Sequence, residues 1–264
     1  MNELLWNIEK TGPLLMIACL RPLGVFFIMP LLTSKNIGGS MIRNTIAILI
    51  IIPVFPAIRE YGLFSQAHVF NFDFLLSLIT EVVIGVLIGF VAAIPFWAID
   101  AAGFLIDTMR GSSMGSIYNP TLAESSTLLG VFFSQLLTVL FFAGGGMNVL
   151  ITTLYQSFVL FPPGKHIVIN RHLLDFIIQQ WNLLFTLFLR FSLPAAAVML
   201  LTDVGMGLLN RSAQQLNVFF LAMSVKSILA LIILMLTLFV LLGHFHGVLL
   251  HNLPTINQLW GRVS

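Results

Sequence analysis

From Ser125 to Gly164 the chain carries no Asp, Glu, Lys or Arg. A run of that length is enough for two bilayer crossings at roughly 20 residues each. The whole chain follows suit: of 264 residues, 58% are hydrophobic and 8% charged, against about 25% charged in an ordinary soluble domain. The composition indicates an all-α, polytopic membrane-type protein, or the core of an assembly that behaves like one. The net charge of +2 is spread along the chain without a basic run. Nucleic acid and an anionic lipid surface are therefore not expected as partners, whereas bilayer lipid is. Glu3, Glu9 and Lys10 precede the first apolar run, with no basic n-region and no small-residue cleavage site, so a cleaved signal peptide is not expected. Cys19 is the single cysteine; it has no intramolecular disulfide partner and reads as a packing residue.

Apolar periodicity predicts helices over 13–31, 41–58, 74–106, 127–143, 147–163, 176–209 and 216–243. Most are interrupted as membrane spans: Arg21 and Pro22 sit in the middle of the first, Pro53 and Pro56 lie in the second, and Pro95 and Pro194 lie in the long ones. A proline removes a backbone donor and invites a kink, and in lipid the freed carbonyl needs a partner from a neighbouring helix. The glycines of "FFAGGGM", 141–147, predict a tight reversal, making 127–163 a helical hairpin. Connections are short, so the chain reads as one domain over 1–264, with a tail over 245–264.

The charged residues inside these greasy segments need a reason. Asp100 and Asp107, seven apart, differ by about 20° around a helix and share a face. Arg110 follows Asp107 by three, a spacing that permits an ion pair. A carboxylate in a membrane costs at least about 2.5 kcal/mol, so this face should meet protein or water. Assembly contacts through Arg21, Arg43, Glu81, Asp100, Asp107, Asp203, Arg211 and Lys226 are one reading. Asp203 and Arg211, eight apart, differ by about 80° around a helix, so a pair within one straight helix is not expected. An ion-coupled transporter that uses Glu81, Asp100, Asp203, Arg190 and Lys226 as a relay is an alternative, although no inverted repeat supports it. An aspartyl protease pairing Asp100 or Asp107 with Asp203 lacks the surrounding signature of that class. His244, His246 and His251 have no acidic or cysteine neighbour, so no metal site is expected. No zinc-protease motif, P-loop or GxSxG occurs. The chain reads as a non-enzyme without a cofactor.

After the aspartates the character changes. Gly111, Ser112, Ser113, Gly115, Ser116 and Asn119 are loop formers, bracketed by Arg110 and Pro120, while Met114, Ile117 and Tyr118 are apolar. A glycine-rich loop with an apolar tip suits reversible closure of a cavity; an ordinary surface connection is the alternative.

The blocks "RPLGVFFIMPLL" at 21–32, "RN" at 43–44, "EVVIGVLIGF" at 81–90, "PFWAIDAAGFLIDTMRGSSMGSIYNP" at 95–120 and "DVGMGLLNRSAQQLNVFFLAMSVKS" at 203–227 resemble the export-gate subunit of bacterial type III secretion systems. That is the SctT family of injectisomes, which includes SpaR proteins, and the FliR family of the flagellum; the likeness leans to the injectisome side. The resemblance implies a bacterial inner-membrane protein of kinked helical hairpins. It implies assembly with five SctR-like and four SctS-like subunits into a helical pore for unfolded secretion substrates. An SctU-like switch protein and an inner rod or needle-adapter protein are implied as further partners. By position, Arg110 to Pro120 matches the family's pore-closing plug loop.

Overall fold

The computed structural model describes residues 2–33, 36, 38–56, 72–112, 127–165, 167, 170–212 and 217–263. Among these, regular structure is entirely helical: α1 (Asn2–Ile28), α2 (Ser40–Ile51), α3 (Phe72–Met109), α4 (Leu128–Ala143), α5 (Gly146–Leu160), α6 (Arg171–Ser212), α7 (Val218–Asn252) and α8 (Thr255–Val263). A 3-10 turn at Pro30–Leu32 follows α1. Among the described residues, three stretches are long and apolar enough to cross a membrane: Phe74–Met109, Arg171–Ser212 and Phe220–Trp260. The α4–α5 pair adds a fourth when counted as one broken span.

The expected helices are present, with one difference, beyond residue 245. At the triple glycine, α4 ends and α5 begins around Gly145, whose φ of 77° lies in the left-handed region. Past residue 245 the chain is ordered helix: α7 continues to Asn252, and α8 packs on α5 with Trp260 fully buried against Phe161. The spacing of Ile256, Leu259 and Trp260, all buried, is the i, i+3, i+4 stripe of an amphipathic helix.

The chain divides into two compact units, one of Met1–Ile94, Gly145–Gln180 and Leu249–Ser264, the other of Pro95–Gly144 and Trp181–Val248. The helices α3, α6 and α7 each contribute to both. The division on α3 falls at Pro95, where the ring deletes one hydrogen bond of the helix ladder.

In the first unit α1 and α3 cross in near backbone contact. A Cβ on Gly24 would stand 2.8 Å from the carbonyl oxygen of Val82, and one on Gly89 would stand 2.9 Å from Val25 Cα. Gly85 lies directly against the carbonyl of Arg21. Gly85 and Gly89 form a small-xxx-small pair, the spacing that lets helices approach closely in lipid. In the second unit the C-terminal half of α3 meets α4 at Gly103 and Gly130, again backbone to backbone. Edge-to-face rings then run from Phe133 to Phe191 and from Phe191 to Phe245 at centroid distances of 4.9 and 5.9 Å, the geometry that the ring quadrupoles favour.

Candidate gate and assembly site

Burial of charge marks the first cluster. Arg21 and Glu81 are both fully buried and form an ion pair through Arg21 Nε and Glu81 Oε2. Arg21 Nη2 donates to Glu81 Oε1 at 3.0 Å and to the Phe161 carbonyl at 2.6 Å. Nη1 donates to Ser157 Oγ at 3.1 Å, and the guanidinium carbon stands 4.3 Å from the Phe158 ring centroid. Four of the five N–H donors of the guanidinium fork thus have partners, and every one of its three nitrogens is engaged. The cluster ties α1, α3 and the end of α5 together, and the glycine crossing at Gly85 brings α1 close enough for Arg21 to reach one turn back to Glu81.

The second cluster surrounds the end of α3. That helix closes with a Schellman turn: Gly111 takes φ 81°, its N–H donates to the Thr108 carbonyl at 3.1 Å, and the Ser112 N–H donates to the Asp107 carbonyl at 3.1 Å. The buried Asp107 carboxylate does two further things. Its Oδ1 pairs with Arg110 Nη2 at 2.6 Å, and its Oδ2 accepts from the Leu129 N–H at 2.8 Å, in the first turn of α4. Thr127 caps the same turn by accepting from the Gly130 N–H at 3.3 Å. An anion at a helix N-terminus meets unsatisfied N–H groups and the positive end of the helix dipole. Asp107 therefore holds both ends of the intervening segment, Ser112 through its main chain and Leu129 through its side chain.

Lys226 of α7 completes this cluster. Its Nζ pairs with Asp203 Oδ1 of α6 at 2.6 Å and donates to the Met109 carbonyl at 3.4 Å. A cation at the last carbonyls of α3 complements the negative end of that helix. Met223, one turn earlier, packs its side chain on Gly111.

The remaining expected residues lie apart from these clusters. Asp100 shares the α3 face with Asp107 and directs Oδ1 to the site where a Cβ on Gly130 would stand, 2.8 Å away, but it is exposed. Arg43 reaches Asn44 Oδ1 at 3.5 Å through Nη2, and its buried Nε has no partner among the described residues. Arg211 is exposed in the last turn of α6. Of the expected plug loop, Arg110, Gly111 and Ser112 are placed, whereas Ser113, Met114, Gly115, Ser116, Ile117, Tyr118, Asn119 and Pro120 lie outside the described residues. Cys19 is half-buried and lines an apolar groove of about 970 Å³ between α1, α2 and α3.

Sequence reasoning missed Ser157, Phe158 and the Phe161 carbonyl as partners of Arg21. No local pattern marks them, because they reach the arginine from 136 or more residues away. The Gly85-Val-Leu-Ile-Gly89 spacing was a signal available in "EVVIGVLIGF".

Residues 13–251 match the family of bacterial export proteins, family 1. The chain belongs to this family. It is 43% identical over 88% of its length to the secretion system apparatus protein SsaT of Salmonella typhimurium, covering 89% of that protein. To the Yop proteins translocation protein T of Yersinia pestis it is 32% identical, over 94% of this chain and 95% of the other. To the flagellar biosynthetic protein FliR of Escherichia coli it is 26% identical, over 76% and 74% respectively. Of these three, SsaT and the Yop proteins translocation protein T share more with this export protein than the flagellar one does.

Proposed function

We propose that this export protein is the SctT-type gate subunit of a type III secretion system of the injectisome branch. With five SctR-like and four SctS-like subunits it forms the inner-membrane pore through which unfolded proteins leave, alongside an SctU-like switch protein and an inner rod or needle-adapter protein. The observation that carries this reading is the family match across residues 13–251, joined by identity to a secretion system apparatus protein along almost all of both chains. The protein acts as a passive conduit component rather than an enzyme.

Within the pore, the segment from Arg110 to Pro120 is the closing loop. Support comes from its root: the Schellman turn at Gly111, the Asp107 pairing and the Lys226 contact hold the departure point firmly, while Met114, Ile117 and Tyr118 supply an apolar tip. Such contacts exclude water and still yield to a passing chain, at roughly 1.5 to 3 kcal/mol per buried side chain. Deleting residues 111–118 tests this. The complex should still assemble, and the resting membrane should then leak small ions. A deletion mutant that assembles, secretes and keeps unchanged permeability would remove the loop from the gate.

The transporter alternative has no comparable support. Glu81 is held by Arg21, Asp203 by Lys226, and Arg190 faces His244 Nε2 at 3.0 Å, so these groups are committed to local pairs.

A further inference from the structure

The first unit contains a polar cavity of about 460 Å³ between the opening turns of α6 and the α7–α8 junction. Its lining combines four neutral amides, Gln179, Gln180, Asn252 and Gln258, with His172 and Asp175 from the first turns of α6. The floor is a reciprocal amide pair: Asn252 Nδ2 donates to Gln180 Oε1 at 2.7 Å, and Gln180 Nε2 donates to Asn252 Oδ1 at 3.4 Å. Thr255 Oγ1 donates to the Asn252 carbonyl at 2.5 Å and braces the floor. Gln179 and Gln258 rise beside it, both exposed and neither hydrogen-bonded among the described residues. Phe176 and Leu259 add apolar wall.

We infer that this groove is a docking site for an extended stretch of the polypeptide being exported, an inference that rests on the export reading above. A peptide backbone alternates N–H and C=O, and a glutamine amide offers both a donor and an acceptor to match it. No Lys or Arg lines the cavity, whereas Asp175 does, so a phosphate or other strong anion would meet a carboxylate with no lysine or arginine to offset it. An acyl chain would bury the amides of Gln179 and Gln258 without hydrogen bonds, which is costly. The face from His172 to Gln180 is about 12 Å long at 1.5 Å per helical residue. That length fits three to four extended residues at about 3.3 Å each. Neutral amides that bind main chain rather than side chains suit a conduit whose cargo differs in sequence, and Phe176 and Leu259 take apolar side chains of any kind in passing.

The test uses the complete apparatus in cells that secrete. A photoreactive phenylalanine analogue at Gln179 or Gln258 is irradiated while a cargo chain is jammed in transit by a folded C-terminal domain. A crosslink to the jammed cargo, absent when cargo is withheld, is the expected result. The Gln179→Ala and Gln258→Ala variants should each slow secretion about five-fold, the factor carried by one ordinary hydrogen bond, with the assembled complex recovered in normal amount. Gln179→Asn should restore part of the rate. Crosslinks to apparatus subunits alone, equal with and without cargo, overturn the inference, as does the absence of any crosslink in an apparatus that still secretes. Secretion that persists when the whole protein is removed would instead overturn the export reading itself.

Discussion

Arg21 and Glu81 pose the residue-scale question most sharply, because a buried ion pair is weak evidence for stability but costly to break. Glu81→Gln leaves a guanidinium buried without its counter-charge. We expect it to destabilise the protein by about 3–5 kcal/mol, read as a lower melting temperature of the purified complex. The double variant Arg21→Met, Glu81→Met removes both charges and should lose much less; equal losses in the two would deny the pairing any special cost. Asp107 differs because its partners are a helix terminus and Arg110. Asp107→Asn keeps an acceptor for the Leu129 N–H, whereas Asp107→Ala removes it, at about 0.5–2 kcal/mol for a lost cap. Proteolysis between residues 112 and 127 should quicken in the order wild type, Asn, Ala. A common rate for all three would mean that Asp107 does not hold this segment.

Elements here are joined by glycine contacts and by side chains that bridge their ends. The α3–α4 crossing at Gly103 and Gly130 leaves no room for a side chain, so Gly103→Leu must push the helices apart. Overpacking costs about 1–3 kcal/mol and would also draw Asp107 away from the start of α4. The expected outcome is reduced recovery of assembled complex together with a leaking membrane; a variant that assembles normally and stays tight would show the crossing to be slack. Lys226 bridges α6 and the end of α3 from α7. Lys226→Gln removes the charge from the Asp203 pair while a weak donor to the Met109 carbonyl remains. Asp203 is about half exposed, with 46% of its side chain accessible, so water screens the pair and the stability change should be small. Raised resting permeability is the readout that would mark Lys226 as a gate-positioning residue, and no change in it would reduce the pair to a surface ornament.

Across the whole molecule, burial is uneven among the three long apolar stretches. The most apolar window of Phe74–Met109 is 72% buried, that of Arg171–Ser212 33%, and that of Phe220–Trp260 17%. The first is core. The last presents Phe220, Ile228, Met235, Leu236, Phe239 and Val240 outward, a surface that water cannot cover without a large hydrophobic penalty. Lipid or neighbouring subunits must cover it. We therefore expect the protein purified alone in detergent to lose its fold within the time over which a co-expressed complex with SctR-like and SctS-like subunits remains intact, followed by size-exclusion chromatography. A long-lived monomer that gains nothing from co-expression would count against assembly as the source of its stability.

The helical class, the membrane character and the family were all legible in the residues, because each is carried by local composition, by period and by short motifs. The Asp107–Arg110 pair was legible for the same reason, since three residues on a helix is a short-range spacing. The partners of Arg21 were not, because Ser157 and Phe161 come from another part of the chain and only the packing of α1, α3 and α5 delivers them. Nor was the choice that pairs Asp203 with Lys226 and leaves Arg211 at the end of α6, since α6 and α7 decide it by how they lie together. Gly145 shows the limit most plainly: three glycines announce that a helix must break, but only the folded chain puts the left-handed residue at Gly145 and packs α5 on α8, because that packing joins residues about a hundred positions apart.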